Sequence, residues 1–132
     1  MTTPYRAPVR DQRFILHDVL NISQYGELPG FADADADTVD AILEEGAKFC
    51  EGVLAPLSHI GDVEGCVRDM DGNVKTPTGF KDAFKQMAEG GWTALSSDPE
   101  YGGQGLPHVL NLAFNEMVSA ANMAFGMYPG LT

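Results

Sequence analysis

The chain has 132 residues, of which 19 are acidic and 8 are basic, and its formal net charge is -11. Its length fits a single domain, and a hydrophobic content of 44% supplies a core, so a wholly disordered chain is excluded. The negative charge argues against nucleic acid or an anionic membrane as a partner, because both need clustered cations. No stretch approaches the roughly 18 apolar residues of a membrane span, so we expect none.

Residues 1–30 are predicted to form an N-terminal extension. Prolines near its start indicate extended backbone, and apolar residues at helical spacing predict a short helix from about residue 11 to residue 22. No apolar leader sequence precedes the two cysteines, Cys50 and Cys66. We therefore expect a cytoplasmic protein in which both thiols are reduced.

The most regular pattern runs from about Asp37 to Ser58. Apolar residues recur there at the i, i+3, i+4, i+7 spacing of an amphipathic helix, and charged residues occupy the opposite face. Either Asp35 or Asp37 is predicted to cap its start, and Pro56 to kink or end it. The apolar stripe consists of Val39, Ile42, Leu43, Gly46, Phe49, Cys50, Val53, Leu54 and Leu57.

The second half of the chain alternates turns and helices. Glycines and a proline predict turns over residues 60–77, and a third helix is expected from about Thr78 to the glycine pair at residues 90–91. A glycine-rich loop over residues 96–107 leads into a last helix, which is apolar almost all round and is expected to be buried. The predicted fold class is therefore all-α, with about four main helices, long loops and no strand.

The acidic run at residues 33–37 is compatible with a calcium loop, because Glu44 falls at the twelfth position counted from Asp33. Thr38, however, occupies the sixth position, where the sharp turn requires glycine. An acidic helix start explains the same residues. We therefore expect no metal site.

No catalytic residue is predicted from the residues alone. The three histidines lack the spacing of metal ligands, and the glycine loop at residues 102–105 follows no strand and lacks the phosphate-loop pattern. Glu116 lies on the apolar last helix, where we expect it to pair, in a structural role, with a neighbour such as a backbone amide or a base from another segment.

A more specific pattern occupies residues 91–106. Gly91 and Trp92 end a helix, the run DPEYGGQGL follows at residues 98–106, and Glu116 lies in the helix after it. This pattern resembles the N-terminal signature of acyl-CoA dehydrogenases. The flanking segments at residues 5–14, 121–125 and 128–132 resemble the branch of that family labelled 3-methylmercaptopropionyl-CoA dehydrogenase-like. Glycines in such a loop indicate tight packing against the rest of the protein. The matching loop residues are Pro99, Glu100, Tyr101, Gly102, Gly103, Gly105 and Leu106.

The resemblance implies a larger, FAD-dependent oxidoreductase of fatty acid metabolism, built from an N-terminal helical domain, a β domain and a C-terminal helical domain. In this family a glutamate removes the α-proton of an acyl-CoA, a hydride passes from the β-carbon to the flavin, and a 2,3-enoyl-CoA results. The base and most flavin contacts lie in the later domains. Residues 31–132 would then be the N-terminal helical domain, truncated before the other two, and we expect this chain alone to bind no FAD and to be inactive.

The resemblance also implies a role for Phe125, Met127 and Tyr128 in the wall of the acyl pocket, although plain core packing explains these residues equally well. The parent enzyme would use an acyl-CoA and an electron acceptor, and would form a homo-oligomer. The alternative is a non-catalytic helical interaction module that retains the family sequence. If the chain is part of the enzyme, the missing domains should leave the apolar face at residues 106–125 partly uncovered, which predicts self-association of the isolated chain.

Overall fold

A long helical rod over residues 36–64 organises the fold. In the computed structural model, which describes residues 4–131, the rod begins where the Asp35 side chain accepts the N–H of Thr38 at 2.8 Å. Asp35 is therefore the cap, one of the two candidates predicted. The consecutive parts of the rod are α2 (Ala36–Phe49), a π-helical segment (Cys50–Leu54) and α3 (Ala55–Glu64).

The predicted end of this helix near Ser58 is wrong, because the rod continues to Glu64. Pro56 lies in the first turn of α3, directly after the π-helical segment. A proline in a first turn forfeits no helical hydrogen bond, and its fixed φ already suits the helix. The change of helix type before Pro56 thus lets the helix continue where an interior proline would end it.

The N-terminal segment packs against this rod. The helix predicted from residue 11 begins two residues earlier, as α1 (Val9–Arg13), and continues as a π-helical segment (Phe14–Val19). Leu16 and Ile22 are buried in the main core. The extension is thus part of the same packed body as the helices that follow.

Charged contacts also join the N-terminal segment to α2. Oδ1 of Asp40 accepts a hydrogen bond from Nε2 of His17 at 2.8 Å and forms an ion pair with Arg13, whose Nε lies 3.0 Å away. Arg13 also pairs with Glu44, one turn further along α2. The hydrogen bond from His17, assisted by Arg13, holds the pKa of the Asp40 carboxyl below its ordinary value.

A small hairpin follows the rod, which corrects the prediction of a chain without strands. It consists of β1 (Val67–Arg68) and β2 (Val74–Lys75), paired antiparallel. The Asp69 carboxylate accepts the N–H of Asp71 at 2.9 Å and of Asn73 at 2.8 Å, which closes the turn. Strands of two residues are too short to show an alternating pattern in the sequence.

The remaining helices are α4 (Phe80–Glu89) and α5 (His108–Gly130), close to the predicted positions. An unpredicted break interrupts α5 at Asn122, whose φ of -163° and ψ of 84° are extended. Its buried side chain donates to the carbonyl of Leu54 at 3.1 Å and accepts the N–H of Phe125 at 3.0 Å. Asn122 therefore caps the last part of the helix and ties it to the rod.

The core lies where α2, the π-helical segment and α3 pack against α5. The prediction of a mainly helical fold is confirmed, with the hairpin as its exception. Within residues 4–131, no helix combines the length and the apolar character needed to cross a membrane. The largest fully buried side chains are those of Phe114, Phe125, Leu43, Leu54, Leu110, Met117, Val39 and Cys50.

Candidate functional site

An aromatic groove lies between α4 and the C-terminal part of α5, beside the hairpin. Its volume is about 380 Å³. Four of its lining side chains carry aromatic rings, so the groove offers a largely apolar surface to a ligand. The residues that line the aromatic groove are Thr76, Phe80, Lys81, Phe84, Phe125 and Tyr128.

Phe80 is the central ring of the groove. It meets Phe125 and Tyr128 edge to face, with ring centroids 5.6 Å and 5.8 Å away, an arrangement that favours aromatic pairs. On its other side it packs against α3 at Gly61, where a Cβ atom would lie 2.8 Å from the Phe80 ring. The glycine thus makes room for the ring that shapes the groove.

Tyr128 links the groove to the hairpin. Tyr128 is 43% exposed, and its hydroxyl oxygen lies 2.6 Å from the sulfur of Cys66, the residue just before β1. This contact, with partial burial, raises the pKa of the Tyr128 hydroxyl above its ordinary value. Cys66 is exposed and forms no disulfide, so the thiol is free to serve as the partner of the hydroxyl.

The three residues placed in the acyl-pocket wall by resemblance occupy different environments. Phe125 is 1% exposed and serves both as a core residue and as a lining residue of the aromatic groove. Tyr128 lines the groove from its exposed side. Met127 does not line it and points to the surface, with 54% of its side chain exposed.

The contribution of α4 to the groove was missed from the sequence. Phe80 and Phe84 are four residues apart and share a helix face, which predicts packing but does not say against what. Their contact with the end of α5 joins segments about 45 residues apart in the sequence, and no local pattern encodes it. The sequence signal that could have indicated this role of α4 was the pair of aromatic residues on one of its faces.

The glycine-rich loop folds tightly back on the segment before it. Pro99–Tyr101 form a 3-10 turn, and a Cβ atom at Gly103 would lie 2.0 Å from the carbonyl oxygen of Ser97. No other residue fits at Gly103 without moving the backbone. Gly102 and Gly105 have φ of 85° and 65°, in the left-handed region that glycine adopts most readily.

The last helix is only partly buried. One face is covered, as expected for a buried helix, and part of its apolar surface within residues 106–125 is left uncovered. One face of α5 packs in the core, but Leu112, Met123 and Met127 on other faces are 56%, 65% and 54% exposed. Each of these exposed side chains offers apolar surface that another protein segment can cover. We call these three residues the exposed apolar face of α5.

Other candidate groups have structural roles. Among residues 4–131, no three histidine, cysteine or acidic side chains come together as metal ligands would. Glu116 accepts a hydrogen bond at 3.2 Å from the side-chain amide of Gln12, a partner from another segment but not the backbone amide or base named as examples from the sequence. Gln12 also donates to the carbonyl of Ala113 at 3.0 Å, so the pair fastens α1 to α5.

The glycine-rich loop does not offer a phosphate cradle for FAD. A phosphate group needs free backbone N–H groups or unpaired cations. The N–H groups of Gly103, Gln104 and Gly105 all donate to backbone carbonyls of residues 94–98. Arg6 is committed to Glu51, as Arg13 is to acidic residues of α2.

The described residues thus form a helical domain with a tight glycine loop and an aromatic groove. Residues 36–132 match the family described as acyl-CoA dehydrogenase, N-terminal domain. The chain belongs to the acyl-CoA dehydrogenase family, as the resemblance predicted.

Three curated relatives align along almost the whole chain. Identity is 42% over 97% of the chain to 3-methylmercaptopropionyl-CoA dehydrogenase of Ruegeria pomeroyi. It is 35% over 96% to the broad-specificity linear acyl-CoA dehydrogenase FadE5 of Mycobacterium tuberculosis, and 29% over 97% to butyryl-CoA dehydrogenase of Syntrophomonas wolfei. The chain spans only 22%, 21% and 21% of the length of these relatives.

Proposed function

We propose that this chain is the N-terminal helical part of an FAD-dependent acyl-CoA dehydrogenase, which oxidises an acyl-CoA to a 2,3-enoyl-CoA. The observation that carries the proposal is 42% identity to a named acyl-CoA dehydrogenase over 97% of the chain. The relatives are named for different acyl groups, so the proposal extends to acyl-CoA thioesters as a class.

Within that enzyme, the aromatic groove would form one wall of the acyl site. Phe125 and Tyr128 line the groove, and Met127 lies on the adjoining exposed apolar face of α5. An apolar wall removes the acyl chain from water, which favours binding by about 0.8 kcal/mol for each methylene group buried. The role proposed for this chain is thus substrate binding and exclusion of water.

The catalytic base and the flavin contacts are assigned to the parts of the parent enzyme beyond this chain. That assignment is supported by the lack of free backbone N–H groups at residues 103–105 of the glycine-rich loop, and we propose that the chain alone is inactive. Residues 1–30 would be an extension and residues 31–132 the helical domain. The parent enzyme would work in the cytoplasm as a homo-oligomer and pass electrons to a separate acceptor.

A chimaeric enzyme tests the proposal. The N-terminal region of the Ruegeria pomeroyi enzyme that aligns with this chain is replaced by residues 1–132 of this chain. We expect the chimaera to bind FAD and to reduce an artificial electron acceptor when an acyl-CoA is added. The isolated 132-residue chain, mixed with FAD and acyl-CoA, should show neither tightly bound flavin nor turnover.

The matched control is the Ruegeria pomeroyi enzyme with the aligned region deleted, which should lose activity if this region is needed. A soluble, flavin-loaded chimaera that oxidises none of the acyl-CoAs used by the unmodified enzyme would contradict the proposal. That result would favour the non-catalytic interaction module. Tight FAD binding by the isolated chain would contradict the placement of the flavin contacts elsewhere.

A further inference from the structure

Tyr128 forms a partly exposed wall of the aromatic groove, and two contacts fix its ring. One is the edge-to-face contact with Phe80 at 5.8 Å between ring centroids. The other is the contact of 2.6 Å between its hydroxyl oxygen and the sulfur of Cys66. We infer that Cys66 is a positioning residue for Tyr128, and that this pair limits how far an acyl chain enters the groove. The inference rests on the proposed function and deepens it.

The hairpin holds Cys66 in position. Cys66 directly precedes β1, which pairs with β2, and the residue after β2 is Thr76, which itself lines the groove. Glu64, at the end of α3, accepts the N–H of Thr78 at 2.7 Å. These contacts join the start and the end of the hairpin to the helices. They therefore restrain the position of the Cys66 thiol beside Tyr128.

The lining of the groove explains why its occupant would be a hydrocarbon chain. Apart from Thr76 and Lys81, its lining residues present aromatic rings. Each methylene group that enters such a surface raises affinity about fourfold. The gain should stop where the chain meets a fixed wall, and Tyr128 is the wall residue whose position depends on a hydrogen bond to a second segment.

Losing the contact with Cys66 should allow the Tyr128 ring to move. A single hydrogen bond between neutral groups shifts an equilibrium about fivefold, so its removal leaves the ring held mainly by Phe80. A released Tyr128 ring can swing outward, because Tyr128 is already 43% exposed. The consequence is a groove that accepts longer chains, without weaker binding of short ones.

The test is the dependence of affinity on acyl length, measured by calorimetry with the 132-residue chain and a series from butyryl-CoA to lauroyl-CoA. In the wild type, affinity should rise about fourfold for each methylene and then level off. Cys66→Ala should move this plateau to longer chains and leave butyryl-CoA binding unchanged. Cys66→Ser, which keeps a hydroxyl partner for Tyr128, should restore the wild-type plateau.

Two further variants separate positioning from a general structural effect. Tyr128→Phe should reproduce the profile of Cys66→Ala, and the double variant should add nothing, since both remove the same contact. Tyr101→Phe is the matched control, because Tyr101 is 83% exposed and lies outside the groove. Near-ultraviolet circular dichroism checks that each variant is folded.

Chemical modification gives an independent test. Cys50 is fully buried, and burial raises the pKa of its thiol to about 12, so a small thiol reagent should modify only the exposed Cys66. Modification of Cys66 should shift the plateau in the same direction as Cys66→Ala. It should have no effect on the Cys66→Ala variant.

Three results would overturn the inference. One is an unchanged plateau in both Cys66→Ala and Tyr128→Phe. Another is an equal loss of affinity at every chain length, which would indicate a purely structural role. The last is a folded wild-type chain that binds no acyl-CoA. The proposed function is judged separately by the chimaera, so an inactive chimaera beside a shifted plateau would reject the proposed function alone.

Discussion

The helical rod at residues 36–64 and the last helix, α5, differ in how they complete their contacts. The rod buries one apolar stripe, and its opposite face carries acidic residues that pair with Arg6, Arg13 and His17 of the N-terminal segment. α5 also buries one stripe, but elsewhere it presents Leu112 and Met123 to solvent.

This difference shows which contacts are internal to the described chain. The charged face of the rod already has its partners within the chain. Exposed leucine and methionine side chains, by contrast, would be stabilised by burial against an apolar partner. The rod is thus the scaffold of the domain. α5 is both scaffold and surface, and its C-terminal part carries the aromatic groove.

The largest loss of stability is expected when the contact between the two helices is removed. Phe114 of α5 is 2% exposed, stacks on Trp92 at 4.4 Å between ring centroids, and lies against Gly46 of α2. Phe114→Ala should lower the free energy of unfolding by about 3 to 5 kcal/mol, because it leaves a cavity between the helices. Urea denaturation measures the loss. Leu112→Ala, on the exposed side of the same helix, should cost less than about 1 kcal/mol.

The break in α5 should have the next largest effect. Asn122→Ala removes the hydrogen bonds to Leu54 and Phe125 and leaves the buried N–H of Phe125 without this acceptor, at a cost of about 2 kcal/mol. Thermal unfolding followed by circular dichroism measures it. Asn115→Ala, at an exposed position earlier in α5, should change stability by less than about 0.5 kcal/mol. Equal effects of the two variants would show that the break has no capping role.

The acidic face of the rod predicts a pH dependence. Because the folded pKa of Asp40 is lowered, its contribution is present above the unfolded pKa and is lost as pH falls through the folded pKa. Asp40→Asn should destabilise by less than about 1 kcal/mol at neutral pH, since the side chain is 38% exposed. The difference from wild type should begin to shrink as pH falls below the ordinary carboxyl pKa of about 4, and should vanish below the lowered pKa of the folded state.

Urea unfolding over a range of pH follows this change. Asp18→Asn is the matched control, since Asp18 lies on the exposed surface of the N-terminal segment. A stability difference between wild type and Asp40→Asn that persists unchanged into acid would show that the ion pairs with His17 and Arg13 do not stabilise the fold.

The smallest effect on stability is expected at the exposed apolar face of α5. Leu112→Lys with Met123→Lys should change the free energy of unfolding by less than about 1 kcal/mol, because both side chains face solvent. The same double variant should reduce dye binding and self-association of the isolated chain. Analytical ultracentrifugation and fluorescence of a hydrophobic dye measure these effects.

The control for charge is Asn115→Lys with Ser119→Lys, which adds the same two charges at exposed polar positions of the same helix. Self-association should persist in this control. If both double variants abolish it equally, then added charge explains the result and the exposed apolar face has no special role.

Much of the fold was predictable because its signals are local. The stripe of the rod, the acidic cap at Asp35 and the glycine pair after α4 each act within a few residues, and each lies at or near its predicted place. The candidate site was less predictable. Phe125 and Tyr128 were named from the resemblance, but Phe80 and Phe84 acquire their role only through contact with a distant helix.

The sequence by itself determined the family, the helical class and the glycine loop, because periodicity, capping and a contiguous motif are written in neighbouring residues. The tertiary structure decided the break at Asn122, the exposed apolar face of α5 and the pairing of Cys66 with Tyr128. Asn122 and Leu54 are 68 residues apart, and Cys66 and Tyr128 are 62 apart. Such contacts depend on how whole helices pack, and packing is a property of the folded chain.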